Sequence, residues 1–220
     1  MPPDWLDWHA DYQDVASPLA RRLRVVQQCL GDVLHQQPPG PVTLVSICAG
    51  QGLDVVGALA DHARRADVHG RLVELDERLV AESRASIEAA RLQGLEVLQA
   101  DASLTDSYVD AVPANIVLAC GLFGNISQED IGRTIELLPE LCSANAEVIW
   151  TRHRAPPDLV PVVRERFRAA GFVEEIIVNS PPYAIGVHRL AASPRALQPG
   201  QRMFHFFGFD ALGDSRSTQR

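Results

Sequence analysis

The sequence predicts an α/β domain: a doubly wound, seven-stranded, mostly parallel sheet that ends in an antiparallel hairpin, preceded by an N-terminal helical lid. Three observations predict it. Apolar β-branched runs alternate with stretches of helical period from residue 42 to residue 170. The first run breaks into small residues and opens straight into a helix, V-T-L-V-S-I-C-A-G-Q-G-L-D over residues 42–54. Near the end, two strand-like runs are separated only by N-S-P-P-Y-A, too short for a crossover helix, so they must pair antiparallel.

Taken in order, a polar and aromatic lead-in gives way at Ser17 and Pro18 to a helix start, with proline in the first turn. Leu19, Leu23, Val26, Leu30, Val33 and Leu34 form one apolar stripe. The P-P-G-P block at 38–41 ends that helix. Strands are expected at 42–48, 71–75, 95–99, 115–120 and 147–151, and helices at 53–65, 77–93, 127–142 and 158–170. Ser127 reads as an N-cap with Glu129 and Asp130 in the first turn, and Pro139 distorts the last turn. Gly171 closes the final helix before the hairpin strands at 173–178 and 185–190. The organisation is a lid or helical segment over 1–37, the main domain over 38–210, and a frayed tail over 211–220.

A chain of 220 residues suits one domain with a full core. Its net charge of −8 disfavours phosphate backbones, so a small-molecule partner is expected and nucleic acid is not. Acidic residues stand where a signal peptide needs a basic region, and no apolar run reaches spanning length; the expectation is a cytoplasmic protein without membrane association. Cys29, Cys48, Cys120 and Cys142 sit in apolar runs without paired metal-ligand spacing and read as free thiols.

The chemistry concentrates at the turn after the first strand. Gly50 and Gly52 carry no side chain to hold a ligand away from the backbone. About twenty residues later, L-V-E-L-D supplies a strand followed by carboxylates, where nucleotide-binding α/β sheets hold ribose hydroxyls. Together these imply an adenosine-containing cofactor. A nicotinamide turn would need a third glycine where Val55 stands, which argues against a dehydrogenase.

The order of elements over roughly residues 42–190 resembles the class I S-adenosylmethionine-dependent methyltransferases, a Rossmann-like family whose seven-stranded sheet ends in such a hairpin. The family's glycine loop is acidic-x-Gly-x-Gly-x-Gly; here the matching positions are Ser46, Cys48, Gly50 and Gly52, so the acid and the first glycine are missing. The tryptophan-rich start, the C-A-G-x-G-x-D loop and the W-T-R-H segment also resemble an actinobacterial-type branch of methyltransferases, which implies no defined substrate.

The resemblance implies a cofactor site of Cys48, Ala49, Gly50, Gln51 and Gly52, with Asp54 holding the ammonium group of S-adenosyl-L-methionine or serving as a helix-start carboxylate. Asp76 is preferred over Glu74 for the ribose, as the acid at the strand tip; Asp101 and Ala102 would meet the adenine. The A-C-G-L-F-G-N-I stretch would lie beneath the methionine part, with Cys120 and Gly121 on the cofactor and Asn125 toward the acceptor. On the first helix Arg22 falls about 60° from Leu19, at the edge of the apolar stripe, where its fork can reach the cofactor carboxylate or snorkel to solvent.

Methyl transfer from a sulfonium needs alignment and exclusion of water, and a base only for an alcohol or ammonium acceptor. His9, within W-L-D-W-H-A-D-Y, and Tyr12 are the candidate lid residues over the cofactor cleft, with His9 a candidate catalytic base and Tyr12 a cofactor contact; His153, just past the fifth strand, points toward the same rim as a second catalytic candidate or serves as a cap or salt-bridge partner. His188 reads as a core or edge residue, and the aromatic stretch around His205 as a strand or a packing and homodimer segment. No metal site is apparent. The expectation is methyl transfer to an O or N atom of a small molecule, or, given the altered glycine loop, a non-catalytic cofactor-binding homologue acting as a subunit or regulator.

Overall fold

The computed structural model describes Asp14 and residues 16–206. A seven-stranded sheet forms its centre, in the order β3-β2-β1-β4-β5-β7-β6. The strands are β1 (Val42–Ile47), β2 (Val68–Glu74), β3 (Leu95–Gln99), β4 (Ala114–Ala119), β5 (Cys142–His153), β6 (Phe172–Ser180) and β7 (Tyr183–Leu190). The pairings from β3 through β5 are parallel, and β7 runs antiparallel between β5 and β6. The strand order steps outward from β1 in both directions. Turns at the carboxyl ends of β1 and β4 therefore flank a crevice, the usual ligand position in an open α/β sheet.

Among the described residues, five helices cover the two faces: α1 (Pro18–Gln36), α2 (Leu53–Leu59), α3 (Glu77–Ala89), α4 (Gln128–Leu137) and α5 (Val160–Ala169). Strand alternation splits the core into two layers. Val117 and Ala119 of β4 face α4 and α5 with Trp150, Phe123 and Phe167. Ile116 and Leu118 face the other way, toward Leu30 and Leu34 of α1 and Val55 and Leu59 of α2. Because both faces are covered, β4 reads as a continuous apolar run. Helix α1 thus packs its apolar stripe into the core of the domain.

Local chemistry sets the element boundaries. Ser17 caps α1, its Oγ accepting from the Ala20 N–H at 2.9 Å, and Ser127 caps α4 through the Asp130 N–H at 2.9 Å. Helix α2 stops at Leu59, six residues before the expected end at residue 65. Arg64, expected inside that helix, instead donates to the carbonyls of Leu34, Pro38 and Gly40 and closes the carboxyl end of α1. Helix α3 ends before residue 93 because Arg91 turns left-handed at φ 55°. Pro139 sits in a 3-10 turn, Leu138–Glu140, that follows α4. Strand β5 is longer than expected at both ends: Cys142 pairs with Ala114 of β4, and β7 pairs with it as far as His153.

Candidate active site

The turns after β1, β2, β3 and β4 meet α1 and the returning C-terminal segment around a cavity of about 500 Å³. That volume lies in the range of small-molecule and cofactor sites. Its walls mix apolar surface from Leu23, Val26, Leu79 and Phe204 with charged groups of both signs.

The glycine turn forms one wall through Cys48, Ala49, Gly50 and Gln51. Ala49 donates to the Val73 carbonyl at 2.9 Å, and Gly52 donates back to the Ala49 carbonyl at 2.9 Å, so the chain reverses tightly. Cys48 adopts φ 52° and Gly50 φ 56°. Cys48 is thus one of the non-glycine residues held in the left-handed region. Gly52 does different work from the one expected of it, because it does not line the cavity. At φ 67°, a β-carbon on Gly52 would stand 2.7 Å from Ser83 Oγ and 2.9 Å from Leu72 Cδ2. This glycine lets the turn pack onto α3 and β2.

The acids after β2 require a correction. The strand ends at Glu74, not at Asp76, which lies two residues further on as the N-cap of α3. Asp76 Oδ1 accepts from the Arg78 N–H at 2.9 Å, and its other oxygen pairs with the Arg78 guanidinium at 2.9 Å. These Arg78 contacts hold its carboxyl below the ordinary range. Glu74 is the acid at the strand tip. Its Oε2 accepts from the Gly50 N–H at 2.8 Å, and its Oε1 from the N–H groups of Leu75 at 2.7 Å and Asp76 at 2.9 Å. Both acids line the cavity.

After β3, Asp101 and Ala102 line the cavity as well. Asp101 Oδ1 accepts from Ser103 N–H at 2.9 Å and Ser103 Oγ at 2.6 Å, and Oδ2 pairs with Arg202 at 3.1 Å. Partial burial works to raise its carboxyl, but the Ser103 and Arg202 contacts outweigh it and hold the group low.

After β4, Cys120, Gly121 and Asn125 reach the cavity. The three residues after Trp150 on β5 support this loop from below. Thr151 Oγ1 accepts from the Gly121 N–H at 2.8 Å, Arg152 donates to the Phe123 carbonyl, and the His153 ring packs at Gly124, where a β-carbon would stand 2.9 Å from Cδ2. Asn125 Nδ2 closes the loop onto the Gly121 carbonyl at 2.6 Å. His153 is therefore beneath the loop and does not line the cavity, contrary to the expectation that it points to the rim.

Arg22 and Asp54 face the cavity from α1 and α2. Arg22 is buried, and its guanidinium carbon stands 5.0 Å from the Tyr183 ring centroid. Burial pushes the Asp54 carboxyl up; the Val55 N–H at 2.8 Å and the nearby Arg22 charge act against that. His9 and Tyr12 lie outside the described residues. No histidine among the described residues lines the cavity. His188 is a buried core residue: its Nδ1 accepts from Trp150 Nε1 at 3.1 Å, and its ring stacks on Phe167 at 4.5 Å. Among the described residues no group of acids, histidines and cysteines gathers as metal ligands, and no helix is long and apolar enough to cross a membrane.

The sequence reading missed the C-terminal segment. Residues after β7 return to the site, and Phe204 and Phe206 line the cavity. The available signal was M-F-H-F-F, too apolar for a solvent-facing stretch, but nothing in its spacing said which surface it covers.

No family model matches the sequence, and no curated protein matches it. Solved structures do. A magnesium protoporphyrin IX methyltransferase from Synechocystis PCC 6803 with bound SAM aligns with a TM-score of 0.63 at 13% identity, over 83% of this chain and 88% of that one. An O-methyltransferase family protein from Burkholderia thailandensis gives 0.60 at 14% identity, over 84% of this chain; the match spans 63% of that protein's length. A precorrin-6y methyltransferase from Geobacter metallireducens gives 0.57 at 10% identity, over 76% and 87% of the two chains. At these identities the likeness is one of architecture: this chain has the seven-stranded α/β fold, closed by an antiparallel hairpin, that those methyltransferase structures share.

Proposed function

We propose that this chain is an S-adenosylmethionine-dependent methyltransferase that moves a methyl group to an O or N atom of a small molecule. The observation that carries the reading is the Gly50–Glu74 hydrogen bond at 2.8 Å, which joins the glycine turn and the strand-tip acid into one wall of the cavity.

The residues present fit the cofactor. Bare backbone at Gly50 leaves room for close approach, and Gly121, at φ 75°, faces open space. In this reading Glu74 takes the ribose hydroxyls and Asp101, with Ala102, the adenine. Arg22 takes the amino-acid carboxylate, to which its planar fork is matched, and Asp54 takes the ammonium group. Cys120, Gly121 and Asn125 form the floor beside the acceptor. When bound, the cofactor supplies an activated methyl on a sulfonium and a thioether leaving group. The protein's share of the chemistry is alignment of the acceptor and exclusion of water. For an acceptor that must lose a proton, His9 is the base this reading retains.

Two of the similar structures are methyltransferases named for precorrin-6y and for magnesium protoporphyrin IX, and the second carries bound SAM. A second reading, a cofactor-binding homologue without turnover, is favoured by Ser46 and Cys48 standing where the family has its acid and first glycine. Calorimetry with S-adenosylmethionine and S-adenosylhomocysteine tests the first step. Binding in the micromolar range supports the assignment, and silence at millimolar ligand removes it. Formation of S-adenosylhomocysteine across a panel of phenols, amines and carboxylic acids then separates the enzyme from the homologue.

A further inference from the structure

After β7 the chain does not leave the domain but runs back across the carboxyl ends of the strands as the segment Gln198–Phe206, which turns at Pro199 and Gly200. Its course is fixed by hydrogen bonds to two elements. Toward the loop after β3, the Thr105 N–H donates to the Gln201 carbonyl at 3.0 Å, the Met203 N–H to the Ser103 carbonyl at 2.7 Å, and the Gly200 N–H to Asp106 Oδ2 at 2.8 Å. Arg202 adds its 3.1 Å pair with Asp101. Toward α4, Thr134 Oγ1 donates to the Met203 carbonyl at 3.1 Å, and the His205 N–H donates to Asp130 Oδ2 at 3.0 Å. The segment is built into the fold on both sides.

Residues two apart on an extended chain share a face. Phe204 and Phe206 both turn to the cavity. Phe204 is buried, whereas Phe206 is 40% exposed and Leu75, which also lines the cavity, is 64% exposed. Large apolar side chains that line a concave site while keeping part of their surface exposed offer that surface to a ligand. One of the segment's two anchors, the loop after β3, carries Asp101 and Ala102, and Phe204 shares a buried cluster with Ala102.

We propose that the Gln198–Phe206 segment completes the nucleoside end of the site, with Phe204 and Phe206 forming the wall against which a purine ring packs. The inference rests on the cofactor reading above and extends it to residues outside the alternating strand–helix core. Aromatic rings accept a purine because every base offers a flat face, and one such contact is worth on the order of ten-fold in affinity. The pair of Arg202 with Asp101 makes the wall and the purine-facing acid one unit.

The test uses the full chain and two ligands: S-adenosylhomocysteine, and 5′-methylthioadenosine, which keeps the nucleoside but lacks the amino-acid end. Wild-type binding of both, measured by calorimetry, is the precondition; if neither binds, the cofactor reading fails and this inference falls with it. Given wild-type binding, Phe206→Ala is expected to weaken both ligands about ten-fold, and Phe206→Trp to bind both as wild type does. Because Phe206 is partly exposed, the unliganded Phe206→Ala protein should melt within a few degrees of wild type; if it does not, Phe206→Leu replaces it, with the same loss expected. Unchanged affinity for either ligand in the alanine or leucine variant overturns the proposal, as does equal weakening by tryptophan.

Discussion

The carboxylate of Glu74 accepts a hydrogen bond from the Gly50 N–H at 2.8 Å, so the tip of β2 and the turn after β1 are held in one fixed arrangement. Asp76, two residues further along, is directed to Arg78 and to the start of α3. The two acids therefore separate by substitution. Glu74→Ala is expected to weaken S-adenosylhomocysteine by roughly 10–100-fold, the worth of a charge-assisted contact. Asp76→Ala should change affinity less than about three-fold and cost about 1 kcal/mol of stability, as the loss of an N-cap does. Calorimetry and chemical denaturation of both variants check the pair.

Arg22 gives a second partition. Arg22→Ala should weaken S-adenosylhomocysteine by about ten-fold or more and leave 5′-methylthioadenosine unchanged, because only the former carries a carboxylate for the fork to grip. Arg22→Lys should fall between, keeping the charge but not the two parallel donors. Equal weakening of both ligands would place Arg22 elsewhere in the site.

Gly186 tests the packing of the hairpin on the sheet. A β-carbon there would meet the Trp150 indole at 2.4 Å, against side-chain atoms held between Phe123, Phe167 and His188. Gly186→Ala is expected to cost about 1–3 kcal/mol. The melting temperature should fall by roughly 2–4 °C for each kcal/mol, measurable by calorimetric or fluorescence melting.

His188 sets a pH dependence. Burial, and secondarily the Arg164 charge, outweigh the pull of Glu174 and lower its pKa from 6.5 to about 4. The folded protein keeps the imidazole neutral while the unfolded chain takes up a proton near 6.5, so unfolding binds protons in that window. The sign follows: the contribution of His188 to stability is full above pH 6.5 and is lost as the pH falls toward 4, by on the order of 3 kcal/mol. Denaturation at pH 7 and pH 5 should show a smaller difference in His188→Gln than in wild type.

The fold was legible in the sequence because its signals are local. A β-branched run bounded by Pro38–Pro41 and A-G-Q-G can hardly be other than a strand and a turn, and N-S-P-P-Y-A is too short to be anything but a hairpin connection. Errors arose where a distant partner decided the outcome. Arg64 continues a helical pattern by periodicity but is claimed by carbonyls at the end of α1. Glu74 and Asp76 share a strand face by alternation, and only the actual end of β2 distinguishes the strand-tip acid from the helix cap. The supporting role of Thr151, Arg152 and His153 beneath the β4 loop, and the return of Phe204 to the site, join residues about thirty and one hundred positions apart, which no window of sequence displays.

Two of the cavity's side chains are thiols, Cys48 and Cys120. Burial, and then the negative charge of nearby carboxylates, pushes both well above the ordinary cysteine range. Neither becomes a thiolate at neutral pH, and the thiolate is the form that alkylating agents and oxidants attack. Haloacetamide labelling of the folded protein at neutral pH should therefore be slow at the pocket wall, and it should speed up when the chain is unfolded.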